Sequence, residues 1–290
     1  LLLGGTPPPP EPGQLRRGGL LNTSGLERVV VRSTPWHQIG QNLAARHLDA
    51  ISVSTTHVAT GKTVVFVQQA EGGLPPWSAD PSVRAEAAAI GPMHVLASAA
   101  IPVLFPAVAV DGSWYCDGSL RQNTPLSPAL RLGADRLLIV SLKHLPSHAE
   151  QAEVATENVS AFPSPWFIFG KTLNALHLDH TDHDLDRMHR MNLIIDGGIR
   201  AFGDRFLDEV NKVMHGVRIV HPLLIRPSQD IGEIAGHHAR SARFKALPGL
   251  HGRMIRYLAN ATGPLIEADL LSYVLFDGQF AAELIQLGHD

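Results

Sequence analysis

The sequence has one cysteine, Cys116, in 290 residues, which excludes an intrachain disulfide and any all-cysteine metal site. Stability must therefore come from a packed core, and Cys116 reads as a small buried residue. Charge is also scarce. Charged residues make up 18% of the chain and the net charge is −3, so no basic footprint for nucleic acid exists. No run of about 18 apolar residues occurs, so no membrane-spanning helix is expected. What is abundant is apolar side chain, 44% of the residues, enough for a sizeable core in one large α/β domain or two ordinary ones.

The opening Leu1 to Gly19 is rich in glycine and proline, with four consecutive prolines from Pro7 to Pro10, and reads as a linker. It lacks the charged lead and the apolar core of a signal peptide. Ordered patterning starts at Leu20. Asn22-Thr23-Ser24 precedes an amphipathic run, with Ser24 expected as its N-cap, and Trp36 to Arg46 reads as a second helix. Asp49 to His57 and Lys62 to Gln68 are β-branched runs joined by Ala-Thr-Gly, which predicts an antiparallel hairpin. Gly61-Lys62-Thr63 ends like a phosphate-binding loop, but Thr56 stands where that loop needs its first glycine, so nucleotide binding is not expected. Val83 to Ala100 reads as two short alanine-rich helices split at Gly91-Pro92.

Arg136 to Ser141 is a continuous apolar run of the kind found in strands covered on both faces. Leu145 to Ser160 is polar and loop-like. Helical patterns then cover Trp166 to Leu178, Asp184 to Met191, Phe202 to Met214, Gly249 to Leu258, Leu265 to Phe276 and Phe280 to Leu287, with one more strand across Val217 to Ile225.

Between these parts lies the stretch that carries chemistry. Asp117-Gly118-Ser119 follows Trp114-Tyr115-Cys116 and precedes Asn123-Thr124-Pro125, where Pro125 suits a first helical position and Asn123 or Thr124 its cap. An Asp-Gly step is common in ordinary turns, because glycine supplies positive φ and aspartate bonds its own backbone. The context adds a second reading. Aromatic residues on one side and free helix amides on the other would place a carboxylate where water is partly removed.

The run Ala97-Ser98-Ala99-Ala100-Ile101-Pro102, then Phe105-Pro106, Asp111-Gly112, Tyr115, Asp117-Gly118, Asn123, Pro125-Leu126 and Leu132-Gly133-Ala134-Asp135-Arg136 resembles the C-terminal half of a patatin-like phospholipase domain. The resemblance covers about Leu20 to Leu142 and implies a catalytic pair of one serine and one aspartate. The family's Asp-Gly-Gly or Asp-Gly-Ala motif falls on Asp117, Gly118 and Ser119, with serine as a mild departure at the third place. Asp117 is then the base. With no histidine between the pair, the carboxylate takes the serine proton directly, and oxyanion donors lower the energy of the tetrahedral intermediate. Such acyl transfer requires no metal or organic cofactor.

The family also places a glycine-rich loop and a G-x-S-x-G nucleophile turn upstream, and no serine of this chain sits in such a turn. Ser98 lies in Ala-Ser-Ala; Ser113 and Ser119 follow glycine but lack the second one. The start at Leu1 rather than Met, inside the family's domain, leads us to expect a fragment, with a truncated, inactive relative as the alternative.

Three other features compete. Asp196-Gly197-Gly198 matches the family triplet letter for letter, but lacks the alanine-rich lead and the Pro-capped helix and reads as a helix C-cap turn. His177, His180, His183 and His189 interleave with Asp179, Asp182, Asp184 and Asp186, and this acidic run reads as a solvated helix start rather than a metal site. Trp166-Phe167-Ile168-Phe169 could face lipid, although Ser164-Pro165 ahead of it fits the start of a buried helix.

The expectation is an α/β fold, a patatin-like three-layer sandwich incomplete at its N-terminus with a mainly helical C-terminal region. Its parts are a linker-like segment 1–19, the C-terminal part of a hydrolase domain 20–144, and a helical region 145–290. The expected function is serine-dependent lipid acyl hydrolysis with Asp117 as this chain's contribution; the alternative is an inactive lipid-binding or scaffold remnant. Expected partners are a lipid or acyl-ester substrate and a peripheral membrane contact, with no nucleic acid and the compartment left open.

Overall fold

The structure is a computed structural model that describes residues 16–19, 21–71, 73–75, 77, 80–120, 126–147, 172, 180–214, 216–241 and 268–289. Two compact units divide the chain: Leu1–Asp135 with Met188–Val220, and Arg136–Arg187 with His221–Asp290.

The first unit is built on a six-stranded mixed sheet. In chain order its strands are β1 (Arg16–Arg17), β2 (Ala50–His57), β3 (Thr63–Gln69), β4 (Val83–Ala87), β5 (Ala107–Val110) and β6 (Ser113–Asp117), arranged β1-β5-β6-β2-β3-β4. The predicted hairpin is present. β2 and β3 pair antiparallel from Ala50↔Gln69 to Thr56↔Thr63, and the His57 amide donates to the Lys62 carbonyl across the turn. Gly61 turns with φ +63°, so Gly61-Lys62-Thr63 closes a hairpin and opens no helix.

Val83 to Ala87 differs from expectation. It forms β4, a parallel neighbour of β3 from Thr63↔Val83 to Val67↔Ala87, and not a helix. Its alanines are good helix formers, but propensity is a small term over five residues, and pairing along a sheet edge outweighs it. Gly91-Pro92 does start a helix, α3 (Pro92–Ser98). Before it come α1 (Ser24–Ser33) and α2 (His37–Ala44). Ser24 is not the cap. It is the first helical residue, its amide donating to Asn22 Oδ1 at 2.9 Å, while Thr23 holds the cap position. Asparagine two residues back starts the turn one step earlier than a serine cap would.

The core of this unit joins β3 (Val64, Phe66), α3 (Leu96, Ala97) and the β5–β6 hairpin (Val108, Val110, Tyr115), with Leu26 and Val30 of α1 packed against it. α3 thus lies on the sheet and α1 on α3. His94 is buried here. Its ring meets Phe66 edge-on at 4.7 Å, its Nδ1 accepts from the Gly91 amide at 3.2 Å, and its Nε2 has no hydrogen-bond partner. Burial pushes its pKa down, against the charge of Asp111 and the Gly91 bond. A 3-10 turn (Gly118–Leu120) and α4 (Leu126–Arg131) follow β6. The Asn123, Thr124 and Pro125 cap lies outside the described residues.

α5 (His180–Phe202) is one 23-residue helix, and Asp196-Gly197-Gly198 lies inside it. The expected C-cap turn there is therefore overturned. Gly198 has its own reason: a Cβ would lie 2.6 Å from Cδ1 of Phe206, which belongs to α6 (Arg205–Val213) and packs over this point. Asp196 pairs with Arg200 one turn on at 2.6 Å. Two helical glycines cost about 1 kcal/mol each, which the rest of a long helix can absorb.

In the second unit β7 (Arg136–Val140) and β8 (His221–Ile225) pair in parallel from Arg136↔His221 to Val140↔Ile225. The strand at 136 is where it was expected, but only one of its faces is covered: Leu137 and Ile139 are buried, whereas Leu138 and Val140 are 66% and 64% exposed. A continuous apolar run does not report how many faces are covered. Asp182 binds Arg226 and Lys143; desolvation opposes these cations, yet they hold its carboxyl below the usual range. α7 (Ile231–Ala239), capped by Asp230 through the Glu233 amide, packs against α8 (Ala268–Val274) and α9 (Gly278–His289). The helices expected at Trp166 to Leu178 and Gly249 to Leu258, and the Trp166-Phe167-Ile168-Phe169 patch, lie outside the described residues save Thr172, which is helical.

Candidate active site

Asp117 is the last residue of β6, where the strand passes into the 3-10 turn. Alternation along β6 turns Tyr115 and Asp117 inward, the first 3% and the second 8% exposed. Tyr115 packs edge-on to Phe66 at 5.2 Å and to His57 at 5.3 Å. Asp117 is thus a buried carboxylate at the end of a well-packed strand.

Its backbone is fixed from two sides. β2 pairs with β6 so that Thr55 faces Asp117, and Thr56 Oγ1 donates to the Asp117 carbonyl at 2.9 Å. The Asp117 amide donates to the carbonyl of Ala100, just past α3, also at 2.9 Å. The next residue has no choice of side chain. A Cβ at Gly118 would lie 2.6 Å from the Ser54 carbonyl carbon and 3.0 Å from the Thr55 nitrogen, both rigid backbone of β2. Close approach, and not positive φ, is what the glycine supplies.

Ser119 then folds back on the acid. Its amide donates to Asp117 Oδ1 at 2.8 Å and its hydroxyl to the same oxygen at 2.5 Å. The first bond is the Asx turn expected of an Asp-Gly step; the second depends on the serine. Cys116 lies on the opposite face, half-buried, and its thiol is pushed up to about 11 by burial first and by the Asp117 charge second.

Asp117, Gly118 and Ser119 therefore form one turn clamped between β2 and the end of α3. Thr56 and Ala100 are parts of it that sequence reading missed. Thr56 was visible only as one β-branched residue among several, and Ala100 takes part through a main-chain carbonyl, which leaves no residue signature. Asp196 is elsewhere, on an α5 face paired to Arg200. Among the described residues no group of three or more histidine, cysteine or acidic side chains could hold a metal ion. His177 lies outside them, as does the side chain of His180. No described helix is long and apolar enough to cross a membrane.

Fold and site together define an α/β protein with a buried acid held at a strand-to-helix turn of a mixed sheet. Residues 20–130 match the family model of patatin-like phospholipase, so this segment of the chain is patatin-like. The match takes in five of the six strands, α1 to α3 and the whole Asp117 turn. No curated protein matches the chain.

Proposed function

We propose that Asp117 is the base of a Ser–Asp dyad in a lipid acyl hydrolase, acting on a serine that these 290 residues do not contain. The observation that carries this is the buried Asp117 turn, whose backbone bonds to Thr56 and Ala100 hold a carboxylate in fixed position within a patatin-like segment. In the reaction the carboxylate accepts the serine hydroxyl proton as the serine oxygen attacks the ester carbonyl. The protonated acid returns that proton to the departing alcohol, leaving an acyl-serine. Water, deprotonated by the same carboxylate, then attacks the acyl-serine, and the acid returns the proton to the serine oxygen as the fatty acid leaves. The substrate class, acyl esters of glycerolipids, follows from the family and not from a pocket.

The test is ester hydrolysis by the full-length gene product and its Asp117→Asn variant. We expect turnover to fall by at least about 100-fold with the fold intact, the usual scale for losing a general base. Wild-type turnover in the variant would end the assignment.

The absence of any G-x-S-x-G in the chain favours a second reading, a non-catalytic patatin-like remnant that binds lipid or serves as a scaffold. The reading frame upstream of Leu1 separates the two. A glycine-rich loop followed by G-x-S-x-G supports the hydrolase, and neither motif supports the remnant.

A further inference from the structure

We propose that Val103 is a specificity-determining residue that meets the acyl chain of the substrate ester, an exposed apolar side chain held on a strained turn next to the acid. The inference rests on Asp117 as the base and adds what the enzyme touches on the acyl side of the ester.

The turn begins at the acid's own anchor. Ala100, whose carbonyl accepts from the Asp117 amide at 2.9 Å, opens the segment that leads to β5 at Ala107. This segment is tied down along its length. Ile101, Leu104 and Phe105 are buried, the Phe105 amide donates to the Ile101 carbonyl at 2.8 Å, and the Leu104 carbonyl accepts from the Leu21 amide at 2.9 Å. Val103 sits in the middle of it with φ +70° and its side chain mostly in water, 59% exposed. Left-handed backbone is unfavourable for any residue with a Cβ and most of all for a β-branched one. Among the described residues only Arg46 and Asp111 share it without being glycine, and neither is β-branched. Arg46 follows the end of α2, and Asp111 starts the Asp-Gly turn of the β5–β6 hairpin, where the turn type demands the conformation.

Packing does not offset the strain at Val103, because little of the side chain is covered. Glycine or asparagine would make the same turn more easily. What valine adds is apolar surface on a turn too well anchored to relax, the setting in which strained residues serve as ligand clamps. Its position fits that use. Three residues span at most about 11 Å, so the isopropyl group lies within reach of an acyl chain whose ester carbonyl meets the acid. A chain laid over Val103 removes that surface from water, and the gain grows with the apolar length available to cover it.

Hydrolysis of p-nitrophenyl acetate and p-nitrophenyl octanoate by the full-length gene product tests this with Val103→Gly, Val103→Asn and Asp117→Asn side by side. Both Val103 variants are expected to keep kcat/KM on the acetate within about twofold of wild type and to lose about tenfold on the octanoate. Their urea midpoints should be no lower than that of wild type, since both residues accept the left-handed turn. Equal losses on the two esters, or an undiminished rate on the octanoate, beside an inactive Asp117→Asn overturn the acyl contact alone. So do clearly lower midpoints in both variants, which would make Val103 a packing residue. An inactive full-length product, or an Asp117→Asn enzyme with wild-type turnover, overturns the dyad and the acyl contact with it.

Discussion

Asp117-Gly118 and Asp196-Gly197 are the same dipeptide folded under different constraints. The first ends a buried strand, with its glycine pressed on the backbone of β2 and its acid bonded by Ser119. The second continues a helix of 23 residues, with its acid turned to an arginine one turn away and nothing near its first glycine. By letters alone Asp196-Gly197-Gly198 is the closer copy of the family triplet. The difference shows that the same letters can end a strand, where a neighbouring strand makes the glycine obligatory, or continue a helix, where none does.

The strongest way to break the comparison is to add one methyl group to each region. Gly118→Ala drives a Cβ into main chain that cannot move without opening β2, and we expect a loss of about 3 kcal/mol or failure to fold. Gly198→Ala meets only the Phe206 ring, which can swing aside, while gaining helix propensity, so its net change should stay within about 1 kcal/mol. Urea denaturation midpoints of the two variants decide this; similar losses would mean that the two glycines are alike after all.

A smaller effect should be readable at Cys116. With its thiol raised to about 11, about one molecule in a thousand is thiolate at pH 8, so alkylation should be slow and should speed up tenfold per pH unit toward that value. Part of the shift comes from the Asp117 charge. Asp117→Asn removes that charge and should accelerate iodoacetamide labelling several-fold, whereas Asp196→Asn should leave the rate unchanged. Labelling rates equal in all three proteins would mean that Cys116 does not sense the acid. The smallest effect is expected at the other pair. Asp196→Ala breaks an exposed bridge to Arg200 and should cost no more than about 0.5 kcal/mol, measured by thermal melting.

Much of this architecture was legible in the residues, and the limits have physical causes. The β2–β3 hairpin and the start of α3 are local events written in β-branched runs and a Gly-Pro step. Strand β4 was missed because its identity comes from β3 beside it, and five residues of mixed propensity cannot report a neighbour. The half-exposed face of β7 was missed for the same reason. At the site, Asp117 and Gly118 were legible as a pair, but why glycine is required depends on Ser54, 64 positions earlier in the chain. The Ser119 hydroxyl looked like a mild departure from a small apolar residue. Its bond to Asp117 depends on a turn geometry that composition does not reveal.

The bond from Thr56 to the Asp117 carbonyl spans 61 residues. The β5–β6 hairpin can close within a dozen residues, yet it cannot place the acid until β2 has docked along its edge and α3 has brought Ala100 alongside. Long-range closures of this kind come at the price of chain entropy. The acid is therefore in place only when β2 and Ala100 are both alongside, and its amide, bonded to the Ala100 carbonyl, should exchange with solvent when that single contact opens.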